Sequence, residues 1–160
     1  MWIRDRIYTE FSHTSAAAMM RTAITGISIH SFFPARPVSV LSLIHISVSI
    51  RCGLTDILPT ECSCERLIGL FGELDCWQED DNYTPLPGDI IFYDWDEKWP
   101  GDCTGWADHV GIVVGTKWPF VKVIEGNRDD AVAYRVIPLG EIHIRGYGLP
   151  DYAAVAENTL

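Results

Sequence analysis

Basic residues are scarce in this chain. Twelve lysines and arginines stand against 22 aspartates and glutamates in 160 residues, a formal net charge of −10. Nucleic-acid binding rests on neutralising phosphates with Lys and Arg, so DNA and RNA are excluded as expected partners. Long apolar runs are missing too. No stretch reaches the ~18 apolar residues that a membrane-spanning helix needs, so no membrane span is expected. Cysteine is present but badly spaced for a metal: Cys52, Cys62, Cys64, Cys76 and Cys103 include no CxxC pair, and no histidine follows at zinc-finger distance. Neither a structural zinc nor a cofactor is expected. The odd count leaves at least one thiol free or paired between chains.

What is present suits a globular domain. Hydrophobic residues make up 48% and charged residues 21%, and a chain of this length buries roughly two thirds of its unfolded surface in one domain. Charge divides it near residue 51. Residues 1–51 carry five arginines against Asp5 and Glu10, a net of +3 that leaves −13 for the remainder. Residues 1–51 therefore read as an atypical segment, transit-peptide-like, disordered, or the product of an out-of-frame or misjoined reading. Its stretch "VSVLSLIHISVSI", residues 38–50, is rich in β-branched residues and suits a strand if any element. Residues 52–152 form the expected domain and 153–160 a tail.

Within 52–152 the periodicities are clear. "TECSCERLIGLFGELDCW" sets Leu67, Ile68, Phe71 and Leu74 at helical spacing, with Thr60 or Ser63 as N-cap and Pro59 just before. The Pro-Gly turn in "YTPLPGDIIFYDW" starts a strand at Asp89, and β-rich runs follow at about 109–115, 120–125, 131–137 and 142–147. Short Gly-, Pro-, Asn- or Asp-containing connections favour an antiparallel meander. The expected class is α+β, a helix packed on an antiparallel sheet.

Register singles out His109. A five-residue loop at 116–120 sets Gly115 opposite Val121, and counting back places His109 opposite Asn127, with Glu125 two residues along on the same face. An imidazole oriented by a carboxylate or amide is what a general base requires, because the partner fixes the tautomer and stabilises the imidazolium. Gly111 and Gly126 leave that face open. The plain alternative is a histidine that ends a strand and bonds Asp108.

Four stretches in order, "TPLPGDIIFYDWD", "ADHVGIVVG", "VIEGN" and "IRGYGLPDY", between residues 84 and 152, resemble the C-terminal two thirds of a CHAP domain, the cysteine, histidine-dependent amidohydrolase/peptidase family of bacteria and phages. The resemblance implies a papain-like α+β fold and hydrolysis of amide bonds in peptidoglycan or peptide substrates. It also implies an endolysin-like protein that is secreted, wall-associated or phage-encoded. It makes His109 the general base and gives Glu125 and Asn127 the task of positioning it.

No nucleophile follows from the resemblance. The family segment of type Trp/Tyr-Cys-Ala-x-Phe-Val-x-Trp, which opens a helix, is absent. "CGLTDILPTECSC" resembles the stretch just after that helix and puts Cys52 near its end, so Leu41 stands where the cysteine is expected. Cys52 reads as a small buried hydrophobe, Cys62 and Cys64 sit at a helix start that the resemblance places away from the site, and Cys103 lies in a loop. The expected function is a thiol-type peptidoglycan hydrolase without an identified nucleophile, or a non-catalytic wall-binding relative. Asp94, Asp96, Glu97 and Asp102 lack the sixth-position glycine and closing glutamate of an EF-hand and read as a solvated acidic loop. Trp95, Trp99, Trp106 and Trp118 are candidates for stacking on sugar rings, with a core or rim role the plainer reading for at least half of them.

Overall fold

The computed structural model describes residues 44–95, 105–128 and 131–157, with the backbone alone for 127, 128, 156 and 157. Leu41, Asp96, Glu97, Trp99, Asp102, Cys103 and all of residues 1–43 lie outside the described residues. Among the described residues, helices α1 (Ile44–Cys52), α2 (Cys64–Glu73) and α3 (Tyr152–Glu157) accompany six strands. These are β1 (Trp77–Gln78), β2 (Ile90–Tyr93), β3 (His109–Lys117), β4 (Phe120–Arg128), β5 (Ala131–Pro138) and β6 (Ile144–Gly148). The class is α+β with an antiparallel sheet, ordered β1-β6-β2-β3-β4-β5. The meander holds from β2 to β5. It breaks at β6, which returns to the far side of β2 instead of pairing with β5.

α2 forms where its periodicity places it. Ser63 is the N-cap and accepts from the Arg66 N–H, and Glu65 lies in the first turn, where a carboxylate suits the helix dipole. Leu67, Ile68 and Phe71 are buried, and Gly148 on β6 lets Phe71 lie against the sheet: a Cβ there would collide with the ring. Each such side chain contributes about 1.5–3 kcal/mol on burial. Leu74 leaves the stripe and is exposed at the C-cap.

α1 is a correction. The alternation of Ile44, Ile46, Val48 and Ile50 with His45, Ser47 and Ser49 suggests a strand, yet this segment is helical and reaches into the core eight residues before Cys52. Its buried set is Ile44, His45, Val48 and Ser49, a helical spacing that includes two polar residues. Both find carbonyl partners: Ser49 Oγ donates to Leu58 O at 2.5 Å, and His45 Nε2 meets Glu61 O at 2.9 Å. Gly53 ends the helix at φ +65°, with Leu54 N–H bonded to Ser49 O and Gly53 N–H to Ile50 O, a Schellman arrangement. Tertiary contacts have overridden weak helix propensity.

The sheet separates two apolar clusters. Ile90, Phe92, Val110, Ile112 and Ile124 point toward α1 and α2 and pack with Val48, Leu58, Leu67 and Phe71. Alternate residues of the same strands, Ile91, Tyr93, Val113 and Val123, point the other way and pack with Val121, Ile137, Ile144 and Tyr147. Covered on both faces, all four residues of β2 are buried.

Candidate active site

The expected pairing of Gly111 with Glu125 is observed, reached by a different route. The β3–β4 turn is two residues long, Trp118–Pro119, because Lys117 pairs with Phe120; a bulge between Val113 and Gly115 then restores the alignment. Gly111 consequently faces Glu125, as a five-residue loop without a bulge also requires. Glu125 has the two smallest side chains as direct neighbours, Gly111 on β3 and Ala133 on β5. That leaves room for larger groups to lean in diagonally from both sides. At Gly111 a Cβ would stand 2.5 Å from Val123 Cγ1 and 3.2 Å from Ile124 O, so this close approach admits only glycine without a shift.

His109 and Arg135 occupy that room. His109 Nε2 lies 2.7 Å from Glu125 Oε2, and Arg135 Nε donates to Glu125 Oε1. Glu125 is fully buried. Burial opposes its charge, but the hydrogen bonds from His109 and Arg135, with the Arg135 charge beside it, outweigh this and hold the carboxyl below its ordinary pKa of 4.5. An ionised carboxylate only accepts, so Nε2 carries the proton and Nδ1 is the free basic nitrogen; it bonds no described residue. Tyr93, paired with His109 across β2–β3, stacks on the imidazole at 6.0 Å and 25°. The tilt and place of the ring are thereby set by two groups.

Asp108 does not bond His109. Its Oδ2 accepts from Trp95 N–H at 3.2 Å, and Asp94, expected in a solvated loop, is buried and accepts from Trp106 N–H at 3.1 Å. Ala107 N–H donates to Glu65 Oε1 at 2.6 Å, tying the approach to β3 onto the start of α2. For Asn127 the backbone lies in β4 and the side chain is outside the described residues. Sequence reasoning missed Arg135, Tyr93 and the stacking of Trp95 on Tyr93. The signal for Arg135 was available: a lone cation in an apolar strand whose register places it diagonal to a buried glutamate. Trp106 is 76% exposed beside the site, whereas Trp118 is 82% exposed at the opposite end of β3.

Three of the four described cysteines belong elsewhere. Cys52, Cys64 and Cys76 pack against the helix-side cluster, on the other face of the sheet from His109, and Cys62 is exposed. Burial, reinforced by Asp108 and Glu65, pushes the Cys64 thiol up to about 11, and burial raises that of Cys52 against the pull of Arg51. A raised thiol pKa is the opposite of what a nucleophile needs. Among the described residues no group of three or more His, Cys, Asp or Glu side chains is placed to hold a metal, and no helix is long and apolar enough to cross a membrane. No protein-family model matches the chain, and no curated protein matches it.

Proposed function

We propose that this chain carries the base side of a thiol amidohydrolase of CHAP type, directed at peptidoglycan amide bonds, and that it turns over little because none of the described thiols is an activated partner for that base. The observation that carries the reading is the 2.7 Å bond from His109 Nε2 to buried Glu125, which leaves Nδ1 free. In such an enzyme the imidazole takes the thiol proton and sulfur attacks the amide carbon. The imidazolium then protonates the leaving amine, and water releases the acyl group from the thioester. His109 has the geometry for both proton transfers. The papain-like arrangement is supported by helices on one side of an antiparallel sheet and by α1 ending at Cys52, where the resemblance ends the nucleophile helix.

A base without a nucleophile activates only water, and loss of the nucleophile in triad enzymes costs on the order of 10⁶ in turnover. The wall-binding, non-catalytic reading is favoured for this chain by one observation, the packing of Cys52, Cys64 and Cys76 against the helix-side cluster, on the sheet face opposite His109.

The test is turbidity loss of purified cell walls. The chain is compared with a chimera in which a segment carrying Trp-Cys-Ala-x-Phe-Val-x-Trp, in the family's spacing, replaces the residues before Cys52. Lysis by the chimera alone, abolished by His109→Ala, supports the proposal. Robust lysis by the unaltered chain, or none by a folded chimera, sinks it.

A further inference from the structure

Five side chains close a ring around the base. His109 bonds Glu125, Glu125 pairs with Arg135, and the Arg135 guanidinium lies 4.6 Å over the ring of Trp95. Trp95 stacks on Tyr93 at 4.8 Å and 16°, and Tyr93 stacks back on His109. We propose that Arg135, seated on Trp95, is a positioning residue for the base: it turns Glu125 so that Oε2 meets Nε2, and thereby commits His109 to the tautomer whose Nδ1 accepts a proton. The assignment rests on the reading of His109 as the base.

A carboxylate held by one partner can rotate and offer either oxygen. Glu125 is held at both, and its Oε1 is taken by a donor whose direction is fixed. The donor is Nε of a planar guanidinium whose Cζ is seated over the Trp95 ring. Lysine would supply the charge without the plane. Its ammonium is a compact, strongly hydrated point charge on a flexible stem, and it neither stacks in the same way nor aims one N–H along a set line. Had neutralising the buried carboxylate been the whole task, the contact with Trp95 would add nothing to it. Two orienting devices thus act on one imidazole, Glu125 through its nitrogen and Tyr93 through its face, and both lead back to Trp95.

The test reads tautomers, not turnover. Long-range ¹H–¹⁵N spectra of the full-length chain, well above the ordinary imidazole pKa of about 6.5, report the Nε2–H to Nδ1–H ratio of His109, assigned with His109→Ala. A charge-assisted bond to Glu125 should favour Nε2–H at least about tenfold in the unaltered chain. Arg135→Gln should lower that ratio about threefold or more. Arg135→Lys should fall between the two, and Trp95→Leu, which leaves Arg135 in place but removes its seat, should shift the ratio in the same direction. Circular dichroism establishes folding, and if Arg135→Gln does not fold, the Lys and Leu variants decide. A ratio unchanged in folded Arg135→Lys and Trp95→Leu overturns the proposal, even where the chimera lyses walls. A ratio that falls as expected while a folded chimera lyses nothing supports the clamp and removes the functional reading alone.

Discussion

The two faces of the sheet hold different chemistry. The helix-covered face is a packed apolar layer in which Cys52, Cys64 and Cys76 act as small hydrophobes. The other face, made from alternate residues of the same strands, holds a buried ion pair and an aromatic stack around His109. Neighbouring residues such as His109 and Val110 thus serve different layers. The described thiols that pack against the sheet, Cys52, Cys64 and Cys76, do so on the face opposite the base. The difference teaches that proximity in sequence to a base says little until strand parity is known.

Substitutions on the two faces should separate packing from positioning. The largest effect is expected from Phe71→Ala on the helix face, a loss of about 3–5 kcal/mol in urea unfolding from the cavity left beside Gly148. The His109 tautomer ratio should stay unchanged as long as the variant folds; a changed ratio would couple the faces and blur the comparison. On the other face, Glu125→Ala leaves Arg135 partly buried without its partner and should cost about 3 kcal/mol. Unlike the Phe71 change, it should also release the imidazole. Gly111→Ala forces Val123 or the Ile124 carbonyl to move and should cost about 1–3 kcal/mol, again measurable by urea unfolding. A neutral outcome there would mean that the strands separate more easily than the register implies.

Acid should sharpen the contrast. His45 is buried in α1 and its pKa is lowered, first by burial, with the bond to Glu61 O acting the other way. Its folded form resists protonation, so stability falls as pH drops below the ordinary 6.5 toward the lower folded value. Glu125 has a depressed pKa, so its contribution is complete above the ordinary 4.5 and is lost only as pH falls through the folded value below it. Hydrogen exchange should therefore accelerate in α1 first, starting in mildly acidic solution, and at the β3–β4 pairing only at lower pH. His45→Leu should remove the earlier phase. Simultaneous loss of both would contradict the assignment of separate causes.

The parts legible in the sequence were those where local pattern and tertiary environment agree. α2 has a cap, a stripe and a buried face that match, and each of β2 to β6 falls within a few residues of its β-rich run. The register at Glu125 was legible through a cancellation: a shorter turn and an unforeseen bulge shift the pairing in opposite senses. α1 was not legible because alternating β-branched residues follow a strand's period, while the partners that stabilise a helix there, Leu58 O and Glu61 O, are supplied by a following loop. Its local signals were Arg51 in the last turn and Gly53 just after it. Arg135 and Tyr93 escaped because their roles arise from strand adjacency. β2 and β5 flank the β3–β4 hairpin, as the expected meander has them, but the ion pair of Arg135 with Glu125 and the stacking of Tyr93 on His109 depend on side-chain packing that the period of a strand does not carry.

The central claim is that the base and the described thiols are uncoupled, and alkylation of each cysteine as a function of pH tests it most directly. Iodoacetamide labelling rates, resolved by peptide mass spectrometry, should show Cys64 slow at neutral pH and still accelerating toward its pKa of about 11. His109→Ala should leave the rate of every cysteine, Cys103 included, unchanged. A cysteine that reacts fully at or below neutral pH, and slows about tenfold or more in His109→Ala, would contradict the account and identify the nucleophile.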